Sequence, residues 1–298
     1  MLKTEITTGI ISRNRTNLEP LPTDAQPILH SLPEIRAVLF DIYGTLLISS
    51  AGDIQLEDPD ESLNTLSRAL AKVGISTTVS SRDLHDHYLQ TLKRHQDIRR
   101  NAGVEYPEVE IRAVWRDFVK EISGVDASEE DTEQLATWYE VWTNPTDLMP
   151  GASELLLKMA HSSLQSGIIS NAQFYTKYLI ENYTGQTLES LGIPSYLTAF
   201  SYEYLEGKPG ISMFESSAKC LLELHNILPH ETLFVGNDCL KDLYPAKTVG
   251  FRTALFAGDS RSLRLRKDDP RCKNLKPDLV ITELLQLVDC LPGLAKDS

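Results

Sequence analysis

Hydrophobic positions along the chain fall into two kinds of pattern. Ala37–Phe40 is apolar throughout and ends at Asp41, with Gly44 just beyond, and similar short runs recur at Gly167–Ile169, Leu233–Val235, Thr253–Phe256 and Leu279–Ile281. A strand that is apolar on both faces must be covered on both faces. Segments of helical spacing separate these runs, so the pattern predicts a parallel sheet sandwiched between helices. Between about 47 and 146 the buried runs disappear. Leu63, Leu66, Ala69, Leu70 and Val73 recur at helical-turn intervals, followed by Tyr88 and Leu92 and then by Ile111, Val114, Trp115 and Phe118. This predicts a helical insertion that leaves the core after its first strand and returns where Pro145, Pro150 and Gly151 break the pattern. Residues 1–34 are rich in Thr, Asn, Pro and Ser, carry no sustained period and read as a poorly ordered N-terminal tail. The α/β core is therefore expected from 35–46 and 147–298, with the insertion at 47–146.

Composition narrows the function. The 298 residues are 41% hydrophobic and 24% charged, as in ordinary globular proteins. With 29 Lys and Arg against 42 Asp and Glu, the net charge is −13. That balance repels nucleic-acid backbones and anionic membrane surfaces and favours a small-molecule substrate. The four cysteines, Cys220, Cys239, Cys272 and Cys290, show no CxxC spacing, which suits a reducing compartment. There is no apolar run of about 20 residues and no secretory leader pattern, so a cytoplasmic location is expected. Oligomeric state leaves no mark in the sequence.

Candidate chemistry lies at the strand ends, because ligands of open α/β sheets bind outside the carboxyl ends of the strands. The first strand runs into "FDIYGTLL", which sets Asp41 at the tip and Tyr43, Gly44 and Thr45 in the turn. The second ends at Ser170 and Asn171. "EGKPG" offers Lys208 ahead of Pro209, expected to start a helix, and "LFVGNDCLKD" offers Asn237, Asp238 and Asp242.

With an Asp, a Ser, a Lys and an acidic pair at successive strand ends, residues 35–290 resemble the haloacid dehalogenase-like hydrolase superfamily. The resemblance implies a Rossmann-like core, with the insertion serving as an α-helical cap that closes over the site. It implies that Asp41 is a nucleophile forming a covalent aspartyl intermediate and that Lys208 is a fixed cation beside it. Tyr43, Gly44, Thr45, Ser170 and Asn171 are then the substrate-binding turn and hydroxyl positions. Asp41, Asp238 and the carbonyl of Tyr43 are the implied Mg²⁺ ligands, and Asp242 orients Lys208 or metal-bound water.

Two residues depart from the phosphatases of that superfamily. Tyr43 stands where their DxDGT motif has a second Asp acting as general acid, a form characteristic of the 2-haloacid dehalogenases, and Asn237 stands where an acid is common. Charge counting favours Mg²⁺ and a phosphatase acting on a small phosphorylated metabolite, since three carboxylates face one lysine. The alternatives are a metal-free dehalogenase and a catalytically weak binding protein. Elsewhere, His85 and His87 lie too far apart around a helix to share a metal. Trp138 and Trp142 read as the interior of the insertion, and Arg261–Lys267, Arg94, Arg99 and Arg100 as solvated faces.

Overall fold

The computed structural model describes residues 3–50 and 59–294, with side chains for all of these except 3–4 and 59–63. Leu63, assigned above to an apolar helix face, lies outside the described side chains. The elements in chain order are α1 (Lys3–Arg13), β1 (Ala37–Phe40), β2 (Leu47–Ser49), α2 (Pro59–Lys72), α3 (Ser81–Asn101), α4 (Ile111–Ser123), α5 (Glu129–Thr143), β3 (Thr146–Leu148), α6 (Ala152–Ala160) and β4 (Gln165–Ser170). They continue with α7 (Tyr175–Thr184), β5 (Thr198–Phe200), α8 (Ser201–Tyr204), α9 (Ser212–His225), β6 (Thr232–Gly236), α10 (Tyr244–Val249), β7 (Arg252–Phe256), β8 (Leu279–Ile281) and α11 (Gln286–Cys290).

Six strands form one parallel sheet in the order β5-β4-β1-β6-β7-β8. The alternation of a strand sends its residues to two separate cores. Val38, Phe40, Ile168, Leu233 and Val235 point to one layer with Leu155 and Leu156 of α6 and Leu179 and Ile180 of α7. Ala37, Leu39, Ile169 and Phe234 point to the other, with Met213, Phe214 and Leu221 of α9 and Ala246 of α10. The fold is thus a three-layer, Rossmann-like α/β core. Three strands escape the sequence pattern: β5 at the sheet edge and the antiparallel pair β2 and β3, each of three residues.

The insertion carries α2–α5 between β2 and β3 and has its own interior, built on Leu66, Tyr88, Trp115, Phe118 and Leu135. Among the described residues no helix is long and apolar enough to cross a membrane.

The N-terminal segment differs from the expected tail. Ile10 and Ile11 of α1 are buried in the core, and Arg15 pairs with Asp147 at 2.9 Å. Ile28 exchanges two backbone hydrogen bonds with Val280, covering the β8 edge of the sheet. Three threonines and a glycine in α1 dilute its apolar stripe, so its helix comes from packing more than from local pattern.

Candidate active site

The central strands β1 and β6 and their neighbour β4 end side by side, and this brings the four motif segments to one edge. Asp41 directly follows β1 and is 5% exposed. Its Oδ1 accepts from Ser170 Oγ at 2.9 Å and from Lys208 Nζ at 2.6 Å. Oδ2 has no hydrogen-bond partner among the described residues, and Asp41 lines a cavity of about 200 Å³. One carboxylate oxygen is anchored and the other is free to attack.

Lys208 bridges two carboxylates, Asp41 and Asp242. Burial alone would lower its pKa, but Asp242 and Asp41 outweigh burial and push it up to about 12, so it is a permanent cation. The Asp242 carboxyl is pushed up to about 7, chiefly by burial, with Lys208 opposing and Asp41 and Asp238 adding. Its Oδ2 accepts from the backbone N–H groups of Asn237 and Asp238 at 3.0 and 2.9 Å, which ties the β6 loop to Lys208. Asn171 clamps the Lys208 backbone, its Oδ1 accepting from the Lys208 N–H at 2.7 Å. Pro209 does not start a helix; it lies in a turn ahead of α9.

Thr45 and Ser170, expected at substrate oxygens, are fully buried and donate to protein: Thr45 Oγ1 to Asn237 Oδ1 at 3.1 Å, Ser170 to Asp41. Thr45 ties the first motif to the last, and Ser170 ties the second to the first. Gly44 has φ +83°, and a Cβ there would come within 2.5 Å of Ser262 Cβ and 2.6 Å of Asn237 Nδ2. Only glycine suits that turn.

Tyr43 projects toward the insertion. Its hydroxyl pairs with Thr176 Oγ1 at 2.9 Å and donates to Glu140 Oε1 at 3.4 Å, while Tyr175 donates to Glu140 Oε2 at 2.9 Å. Burial foremost, and then the Glu140 charge, raise the Tyr43 pKa well above its ordinary value.

Of the magnesium ligands read from the sequence, Asp41 and Asp238 line the same cavity, with Asp238 paired to Arg266. Asp238 is already committed: Oδ1 accepts from the N–H groups of Leu240 and Lys241, and the Arg266 guanidinium reaches Oδ2 through Nη2 at 2.7 Å and through Nε at 3.1 Å. Among the described residues no group of three acidic, His or Cys side chains is arranged to hold a metal. The sequence count of three carboxylates against one lysine omitted Arg266, which pairs with Asp238 and leaves three carboxylates against two cations. Arg266 belongs to the run read as a solvated face. That run folds back on the β6 loop, with the Arg264 N–H donating to the Asn237 carbonyl and the Cys239 N–H to the Arg264 carbonyl.

Sequence reasoning also missed what the insertion contributes. Glu108, Glu140 and Asn144 line the cavity, as do Lys241 and Arg264 from the core. Glu108 accepts from the Val109 N–H and from Ser201 Oγ, both at 2.9 Å, and burial raises its pKa. Its segment is stitched to the Lys208 loop: the Glu108 N–H donates to the Leu205 carbonyl and the Gly207 N–H to the Tyr106 carbonyl. The signal in the sequence is slight, an acid between two helices. His85 and His87 do not line the cavity. Arg94 pairs with Asp117 and Glu121.

No protein-family model matches the chain. It is 27% identical over 146 residues to the glyceraldehyde 3-phosphate phosphatase of Pyrococcus furiosus, a match covering 48% of this chain and 54% of that protein. The chain thus spans about half the length of the curated relative it matches. Among solved structures it is similar to a 2-haloacid dehalogenase from Pseudomonas syringae, with TM-score 0.54 and 19% identity, and to a HAD phosphatase from Thermococcus onnurineus, with TM-score 0.50 and 18% identity. Each alignment covers 86% of this chain and 97% of the other. With four motif segments at one edge of a parallel sheet, the chain has the haloacid dehalogenase-like fold.

Proposed function

We propose that the protein is a hydrolase of small phosphate monoesters that works through an aspartyl-phosphate on Asp41. The observation that carries this reading is the asymmetry of the Asp41 carboxylate, with Oδ1 held by Ser170 and Lys208 and Oδ2 unpartnered at the cavity wall. Oδ2 attacks phosphorus, the bond from phosphorus to the ester oxygen breaks, and the leaving oxygen takes a proton. Water then attacks the same phosphorus and releases Asp41 as a carboxylate. Lys208, Lys241 and Arg264 supply positive charge around the phosphoryl group. The helical insertion acts as a cap that excludes bulk water while the ester bond breaks. A cavity of about 200 Å³ suits a compact substrate.

Tyr43 cannot serve as the acid of the first step, because a buried phenol beside a carboxylate holds its proton. Glu108 and Asp242 are the cavity-wall carboxyls whose neutral forms burial favours; Asp242 is held by Lys208 and by the N–H groups of Asn237 and Asp238, and we assign Glu108 the proton for the leaving group. A second reading, attack of Asp41 on the carbon of a 2-haloacid, is favoured by the same Tyr43 and by the Asp238–Arg266 pair, since halide leaves without a proton. A screen of phosphorylated metabolites and 2-haloacids, with and without magnesium and with Asp41→Asn as control, separates them. Phosphate release that depends on Asp41 supports the first reading; halide release without phosphatase activity replaces it with the second. Release of neither leaves a ligand-binding protein.

A further inference from the structure

The insertion leaves the core through β2 and returns through β3, and these two crossings lie side by side as one antiparallel pair. Two adjacent strands joining two bodies have the geometry of a hinge. The N-terminal segment lies across it. Helix α1 packs against α5 of the insertion and against α7 of the core. Its Ile10 and Ile11 share one buried apolar cluster with Val141 of α5 and with Leu179 and Ile180 of α7, so the interior of the core continues through α1 to the insertion.

Polar contacts fasten the end of α1 to both sides. Asn14, directly after the helix, donates to the Ile10 carbonyl at 2.7 Å and accepts from Trp142 Nε1 of α5 at 3.0 Å. Arg15 donates to Asp147 Oδ1 of β3 through Nε at 3.1 Å and Nη2 at 2.9 Å, and its guanidinium lies 4.8 Å from the ring centroid of Tyr183 on α7. The Tyr183 hydroxyl pairs in turn with Thr146 Oγ1 of β3 at 2.9 Å. Asp147 is buried, so its polar atoms depend on protein donors, among them Arg15 and the Leu18 N–H. Further along, the Leu21 N–H donates to Asp259 Oδ1 at 3.1 Å and its carbonyl accepts from the Ser260 N–H at 2.9 Å. That loop carries Ser262, which lines the Asp41 cavity. On the insertion's side, Glu140 and Asn144 of the same cavity lie at the end of α5 that Asn14 grips.

We propose that the N-terminal segment is a brace on the hinge, setting how far the insertion opens over the Asp41 cavity. A swing about β2 and β3 displaces α5 from α7 and therefore pulls on the two faces of α1. The cavity opens only as far as the Asn14–Trp142 and Arg15–Asp147 contacts yield.

Two spin labels on the full chain read the distance between insertion and core. One is placed on Ile98→Cys, at an exposed position of α3, and the other on the native Cys220 of α9, which is partly exposed while the other three cysteines are buried. Asn14→Ala with Arg15→Gln releases the brace, and Trp142→Phe removes the Asn14 contact from the insertion's side. The expected result in both variants is a distance distribution broadened by about 2 Å or more. Hydrogen exchange should rise at least about tenfold in peptides spanning β2 and β3 and stay unchanged in those of β1 and β6. A distribution identical to wild type in the double variant overturns the proposal. Equal acceleration in β1 and β6 also overturns it, since the segment would then support the whole fold and not the hinge. Arg94→Gln, which breaks an exposed ion pair inside the insertion, is the control, and the same broadening there counts against the brace. No substrate takes part, so the result is independent of the chemistry proposed for Asp41.

Discussion

At the scale of single residues, the site turns on which groups can give up a proton and which charges are already matched. The leaving group of an alkyl phosphate needs a proton; that of an aryl phosphate departs with less help. If Glu108 supplies it, Glu108→Gln lowers kcat on alkyl phosphates by about 10²- to 10⁴-fold and leaves aryl phosphates nearly unaffected. Equal losses on both substrates would move Glu108 from proton donor to structural support. Arg266 makes an independent prediction. Because it occupies both oxygens of Asp238, wild type should bind Mg²⁺ weakly in calorimetry, and Arg266→Gln should tighten binding by about tenfold or more as the carboxylate is released. Unchanged affinity would show that Asp238 is not held back by its arginine. Asp41 was legible in the sequence because it ends an apolar strand, and Lys208 and Asp242 because they stand in short motif segments further along; the structure joins the three by hydrogen bonds. Glu108 and Arg266 were not legible, since each reaches the site through a loop whose path is set by tertiary contacts.

At the scale of elements, legibility followed burial on both faces. β1, β4, β6, β7 and β8 each carry a short buried apolar run and declare themselves; β5, at the edge with three residues, does not. Helix α1 lacks a clean apolar face, yet Ile10 and Ile11 are 4% and 1% exposed. Its contribution is therefore tertiary, and Ile11→Ala should cost about 2–5 kcal/mol in denaturant unfolding, the range for a buried aliphatic truncated to alanine. A cost near zero would mean that the N-terminal segment is only loosely attached. The turn after β1 is equally restrictive: Gly44 combines a left-handed backbone with a wall of Ser262 and Asn237, and that requirement was visible in the sequence only as a glycine in a motif.

At the scale of the whole molecule, the insertion and the core meet through the backbone pairing of Tyr106–Glu108 with Leu205–Gly207 and through Gln173, whose side chain bridges the Val109 carbonyl and the Ile111 N–H. The site is thus assembled from both parts, and its charges weigh on the stability of the fold. The Asp242 carboxyl has a folded-state value of about 7 against an ordinary 3.8, so the folded chain holds this proton more tightly than the unfolded chain does. Its contribution to stability is fully present below the ordinary value and is lost as pH rises through the folded one. Between about pH 5 and pH 8, wild type should therefore lose stability relative to Asp242→Asn, read as diverging melting temperatures. Parallel curves would mean that Asp242 is ionised throughout, held so by Lys208.

The central claim is that Asp41 forms a bond to the substrate. Enzyme in excess is mixed with an aryl phosphate, quenched in acid during a single turnover and digested for mass spectrometry. The account predicts a transient phosphoryl adduct on the peptide containing Asp41 that rises and decays with product release and is absent in Asp41→Asn. Phosphate release at full rate with no adduct, or undiminished turnover in Asp41→Asn, would contradict it.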